Sequence, residues 1–251
     1  MKIGVTILFV LISVAFGFAQ TAYVAAPSGL KLRKTAAANG EVVKTLPYGT
    51  KLISVADKKP KAAHKTKEAE GLYLKGFRQK VTVDKDTGYV FDAFLMPVEP
   101  IGKKEVETYY DDTTRGCKPF DIYFLESRFK AVGKPYDLKS FASIDTAYWV
   151  VTDKNDPYCQ QGFSQKFANS NIVASYSQGE GGASMDVTLK GYTFNQVYAI
   201  ALSMTTMMNE GVSVSYNSGV VSIGPKDDGA GCYSTIEVKG NTIIWNFGCG
   251  C

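Results

Sequence analysis

The tightest constraint on how this chain folds is a mirrored pattern around residue 240. Residues 232–239 read Cys-Tyr-Ser-Thr-Ile-Glu-Val-Lys, residues 242–249 read Thr-Ile-Ile-Trp-Asn-Phe-Gly-Cys, and Gly240-Asn241 lies between them. Alternating runs joined by two such residues predict a β-hairpin. With Lys239 and Thr242 flanking the turn, Val238 meets Ile243, Ile236 meets Trp245, Ser234 meets Phe247 and Cys232 meets Cys249. Strand side chains alternate with period two, so all these pairs share one face. Thr235, Glu237, Lys239 and Asn246 take the other face, and a slip of one residue would bury the charges. The register therefore predicts a Cys232–Cys249 disulfide. It sits at a non-hydrogen-bonded site where Cα atoms are about 4.5 Å apart, near the short limit for such a bond.

The residues before this hairpin extend the pattern. Ile172 to Ser177 and Met185 to Leu189 flank a glycine-rich loop, Gln178 to Gly182, and read as a hairpin with Met185, Val187 and Leu189 on one face. Thr193 and Gln196 have the spacing of a capping box. Phe194, Val197, Tyr198, Ala201 and Met208 follow as one helical stripe, ended by a left-handed Gly211. Val212, Val214 and Tyr216 alternate up to Asn217-Ser218-Gly219, and Val220 to Ile223 returns. Two strands, a helix and four strands predict an antiparallel sheet with a helix on one face, an α+β domain over 117–251.

At the other end, Lys2, an apolar run from Val5 to Phe18 and the small residues Gly17 and Ala19 read as a signal peptide over 1–19. The run is short for a membrane span and no second one follows, so no transmembrane segment is expected after cleavage. This predicts a periplasmic or secreted protein. Its five cysteines then read as disulfides before metal ligands. Beyond Cys232–Cys249, Cys117 with Cys159 is the remaining pair, leaving Cys251 free. A net charge of +4 is too small to point to nucleic acid. Residues 97–107 carry two prolines, a glycine and several charges, and 99–116 reads as a linker. Phe120 to Phe129 fits a helix or a buried strand, with helix preferred. Ala147 to Thr152 reads as a strand running into a turn at Asp153 to Pro157.

Three pieces lie between Ala22 and Met96. They are Gly29-Leu30-Lys31-Leu32-Arg33, then Leu46-Pro47-Tyr48-Gly49-Thr50-Lys51-Leu52, then Gly88-Tyr89-Val90-Phe91-Asp92-Ala93-Phe94-Leu95. Short strands cut by glycine turns suggest a small closed or nearly closed barrel. Together the pieces resemble the bacterial SH3 (SH3b) family, whose repeats read G-L-x-(L/V)-R, then L-x-x-G-T-x-(L/V), then G-Y-V-x-x-x-(Y/F)-L. The resemblance implies an SH3-like all-β barrel over 20–98, acting as a binding module, often at the cell wall. It makes Tyr48, Tyr89 and Phe91 the ligand-groove candidates, and Phe77 stands nearest to the family's tryptophan. Between the second and third pieces, Asp57 to Lys67 reads as a basic loop carrying Lys58, Lys59, Lys61, Lys65 and Lys67, with the chain's single histidine, His64. It is a solvated excursion or a contact for an anionic polymer.

Enzyme patterns are sparse. A Cys/His or Ser/His/Asp mechanism would need His64 to reach across domains. There is no nucleophile-elbow or phosphate-loop motif and no paired histidines. Asp153, Asn155 and Asp156 lack the glycine and distal glutamate of a calcium loop. The expectation is an exported, non-enzymatic protein without cofactor or metal, binding a cell-envelope peptide, glycan or protein. The alternatives are a cell-wall hydrolase with carboxylates in residues 117–251, and a secreted inhibitor presenting the 178–182 loop.

Overall fold

The structure, a computed structural model, describes residues 20–55, 63–112, 120–130, 132–134, 163–179, 182–227 and 229–250. The leader, Cys117, Cys159, Cys251, Lys58, Lys59, Lys61, Glu180 and the elements expected over 147–157 lie outside these residues.

The first sheet is built from β1 (Gln20–Val24), β2 (Leu30–Arg33), β3 (Val42–Leu46), β4 (Lys51–Ser54), β5 (Ala63–Ala69), β6 (Leu72–Val83), β7 (Asp86–Phe91) and β8 (Leu95–Met96), with a 3-10 turn at Asp92–Phe94. Its order is β3-β2-β7-β6-β4-β1-β8, with β5 branching from β6. The end strands β3 and β8 do not pair, so the sheet is open, and the expected SH3-like barrel does not form.

The physical reason lies in β6. Over its first half Leu72, Leu74 and Gly76 are buried; over its second half Gln79, Val81 and Val83 are buried. A strand of one closed barrel would keep one phase throughout. This strand changes phase at Phe77-Arg78, so its two halves bury opposite faces. The first half pairs with β5 and the second with β7 and β4. Gly76 sits at the crossing, where an added Cβ would lie 2.2 Å from Asp92 Oδ1. The basic loop is corrected as well: Ala63–Ala69 is strand β5, with Lys65 Nζ 5.1 Å from the centre of the Tyr73 ring and Lys67 paired with Glu70.

The span read as a linker contains α1 (Lys103–Asp111), followed by α2 (Phe120–Phe129). The helical reading of 120–129 is the observed one. Arg128 forks onto both carboxylate oxygens of Glu105, which also accepts from Tyr123 Oη at 2.8 Å, tying α1 to α2. Tyr109 packs against Phe120 and Tyr123 beside this pair.

The second sheet comprises β9 (Val132–Lys134), β10 (Phe163–Ala168), β11 (Ile172–Gly179), β12 (Gly182–Lys190), β13 (Val212–Asn217), β14 (Val220–Pro225), β15 (Gly231–Lys239) and β16 (Thr242–Gly250), with α3 (Phe194–Met208) between β12 and β13. It runs β13-β14-β15-β16-β12-β11, continued by β10 and β9. The register expected around residue 240 is the observed one: Val238↔Ile243, Ile236↔Trp245, Ser234↔Phe247, Cys232↔Cys249. The cysteines are bonded, with Cα atoms 4.0 Å apart. Gly240 takes a left-handed φ of 64° in the turn. Ser218 and Gly219 do the same in the β13–β14 turn, as a primed two-residue connection requires.

Helix α3 begins on the expected capping box: Thr193 Oγ1 accepts from Gln196 N–H and Gln196 Oε1 accepts from Thr193 N–H. Its end differs from expectation. Asn209, with extended backbone, closes it in place of a left-handed Gly211. The Asn209 amide donates to Thr205 O and Cys232 O, and its oxygen accepts from Cys232 N–H. Every residue from Val197 to Thr205 is buried. One side of α3 packs on β14, β15 and β16; another packs on β8 and the 3-10 turn of the first sheet. The architecture is therefore two open antiparallel sheets sharing one enclosed helix, mostly β with some α.

Three polar side chains are paired where α3 meets β15 and β16. Thr205 Oγ1 donates to Ala201 O, so Ser234 Oγ donates to Thr205 and accepts from Trp245 Nε1 at 3.0 Å. Ser234→Ala leaves the Trp245 N–H buried without an acceptor, and should cost about 1–3 kcal/mol in urea unfolding. Peptide mapping without reductant should return Cys232 linked to Cys249. Replacing both by alanine should cost about 2–3 kcal/mol, the usual worth of closing a loop of this length.

Candidate functional site

The phase of β6 creates a groove. Over its first half the odd residues Tyr73, Lys75 and Phe77 turn outward, toward the start of α3. The resulting cleft has a volume of about 660 Å³, with Leu95 and Met96 among its lining and Asp92, Phe194 and Asn195 on its sides. Asn195 Nδ2 donates to Lys75 O at 2.7 Å, and Asp92 Oδ1 accepts from Phe77 N–H at 2.8 Å. Side chains thus hold the strand edge where a further strand would otherwise pair. Tyr73 and Phe77 are each 44% exposed, an uncommon state for two neighbouring large apolar groups on a groove wall. Phe194 stacks on Tyr198 behind the rim, with ring centroids 6.2 Å apart.

A carboxylate joins the first sheet to α3. Tyr198 Oη on α3 donates to Glu68 Oε2 on β5 at 3.1 Å. Burial pushes the Glu68 carboxyl up, partly offset by this bond. Burial and the adjoining Glu68 charge push the Tyr198 phenol well above its usual range. The pair binds β5 to α3; it offers no proton near neutrality from the tyrosine side.

Of the residues expected to form a ligand groove, Tyr89 and Phe91 lie two apart on β7, and Tyr48 is tied to α3. Tyr48 donates to Ile101 O at 2.9 Å and also bonds Ser203 Oγ on α3. Its phenol is pushed up to about 12, chiefly by burial. Tyr48 is thus a tie between the first sheet and the helix. Phe91 is 5% exposed and packs edge-on against Phe94. Tyr89 is half-buried on β7, opposite Arg33 on one side and Lys80 on the other. None of the three lines the groove, whereas Phe77 does. Tyr73 and Asn195 were not singled out from sequence, and Phe194 was read there only as part of the helical stripe; the signal for Tyr73 was its alternation with Lys75 and Phe77.

Other reactive groups are scattered. His64 Nε2 lies 3.3 Å from Ala36 O. Among the described residues no three His, Cys, Asp or Glu side chains are grouped to hold a metal, and no helix is long and apolar enough to cross a membrane. Asp121, in the first turn of α2, is 4% exposed, and burial pushes its carboxyl up to about 7. A carboxyl raised in the fold contributes stability that is complete below its unfolded pKa and lost as pH rises through the folded value. Stability should therefore fall between about pH 4 and pH 7, by at most ~4 kcal/mol. Asp121→Asn should flatten that slope and leave the variant more stable than the parent at pH 8, measured by denaturant unfolding across the range. No protein-family model, curated protein or solved structure matches this chain.

Proposed function

We propose that this chain is an exported, non-enzymatic binding protein of the cell envelope, and that the groove between β6 and α3 takes its peptide, glycan or protein ligand. The observation that carries this reading is the pair Tyr73 and Phe77, each 44% exposed on the wall of an open groove. Flat aromatic faces suit sugar rings and peptide side chains. Lys75, Asp92 and Asn195 add a cation, an anion and an amide at the same wall, which fits oriented recognition of a polar ligand. The basic, apolar and small residues of the leader support export, and the Cys232–Cys249 disulfide fits an oxidising compartment.

Sedimentation of the full chain with isolated envelope material tests the reading. Binding should fall about tenfold or more in Tyr73→Ala/Phe77→Ala, since aromatic anchors contribute on the order of 1–2 kcal/mol each. Thermal melting should stay within a few degrees, because both side chains are surface groups. Undiminished binding would remove the groove from this role. Soluble fragments released from the material by the protein would instead make it a hydrolase.

A further inference from the structure

A second cluster lies on the sheet, and none of its residues lines the groove. Arg33 on β2 and Arg78 on β6 flank β7. Arg33 faces Tyr89, which faces Lys80 on its other side, and Arg78 faces Phe91 one step along. Alternation puts Arg33, Tyr89, Phe91, Arg78 and Lys80 on one face of β2-β7-β6. Both arginines are half-buried, so solvent still reaches part of each side chain.

Among the described residues no counter-charge pairs with them. Arg33 and Arg78 each carry a buried Nε–H with no hydrogen-bond partner. Arg33 Nη1 donates to Gly40 O, and the Arg78 guanidinium lies 5.8 Å from the centre of the Phe91 ring. Among the described residues neither arginine meets a carboxylate. The nearby acids are already taken: Glu41 pairs with Lys34 and Asp86 with Lys44, each at 2.7 Å. Arg128 shows the contrasting arrangement, forked onto Glu105. Burial, and then the Arg33 charge, push the Arg78 pKa below its usual value.

Packing explains one arginine over a ring, but not two partly desolvated cations together without an anion, an arrangement that costs free energy. An oxyanion converts that cost into attraction, because guanidinium groups bind oxygen anions with charge-assisted bonds. Lys80 brings a third positive charge to the face, so a dianion suits it better than a lone carboxylate. A phosphate monoester carries about −1.5 to −2 at neutral pH. We infer that the face formed by Arg33, Arg78 and Lys80 beside Tyr89 is a binding site for a phosphate group.

Titration calorimetry of the full chain with inorganic phosphate at low ionic strength, matched against chloride, tests this. Saturable binding is expected, weakened at least tenfold in Arg33→Gln/Arg78→Gln. In Arg33→Lys/Arg78→Lys it should be weakened less, since charge is kept and the fork lost. The Gln variant should melt at or above the parent temperature, because relieving two like charges does not harm the fold. Tyr73→Ala/Phe77→Ala should bind phosphate as the parent does, which separates this site from the groove. Absence of saturable binding to the parent, unchanged binding in the Gln variant, or acetate binding as tightly as phosphate would overturn the assignment.

Discussion

Everything in this molecule depends on the enclosure of α3. A helix lying on one sheet needs one apolar stripe. Residues 197–205 are instead buried on all sides, including the small and polar positions Ala199, Ala201, Ser203 and Thr205. Removing either sheet would expose a strip of apolar surface, at about 25 cal/mol for each Å². The polar atoms on this helix answer to both sides. Thr205 bonds toward Ser234 in the second sheet, and Ser203 bonds toward Tyr48 in the first. These bonds fix the rotation of the helix, which apolar packing alone would leave loosely specified.

The first sheet is shaped by the same demand. Its strand β6 gives Val81 and Val83 to the sheet's own core and Leu72 and Leu74 to a separate buried face. Tyr198–Glu68 and Asn195–Lys75 then join the β5–β6 hairpin to the helix. The outward side chains of that hairpin half become the wall of the groove. The groove therefore follows from the phase change, since a β6 that kept the phase of Gln79, Val81 and Val83 throughout would have buried Phe77.

What the sequence disclosed follows from the range of the interactions involved. The β15–β16 register was legible to the residue because a two-residue turn and strict alternation specify it locally. The capping box of α3 was legible because it too is a local spacing, whereas the spacing over 120–129 fitted a helix or a buried strand and only favoured the helix that forms. The barrel was misread because the alternation of Leu30 with Leu32, or of Val90 with Tyr89 and Phe91, records strands but not which edges meet. Strand β5 was hidden because Ala-His-Lys-Thr-Lys has the polarity of a loop, and its strand is largely exposed. The slip in Leu-Tyr-Leu-Lys-Gly-Phe-Arg-Gln-Lys-Val was present in the sequence but has meaning only with a second buried face. The groove joins Lys75 to Asn195, 120 residues apart, and no local pattern carries that.

The shared helix also sets a timetable. Ala93, Leu95 and Met96 belong to the side of the first sheet that α3 covers, yet α3 begins only at Phe194, roughly a hundred residues later. At synthesis rates of about 5–20 residues per second, that apolar side stays wet for ~5–20 s after it emerges. For that interval the nascent chain carries a hydrophobic surface flanked by unpaired strand edges, the combination that recruits holding factors or seeds aggregation. The enclosure that makes the finished molecule one piece makes its first half dependent on protection while the second is still being made.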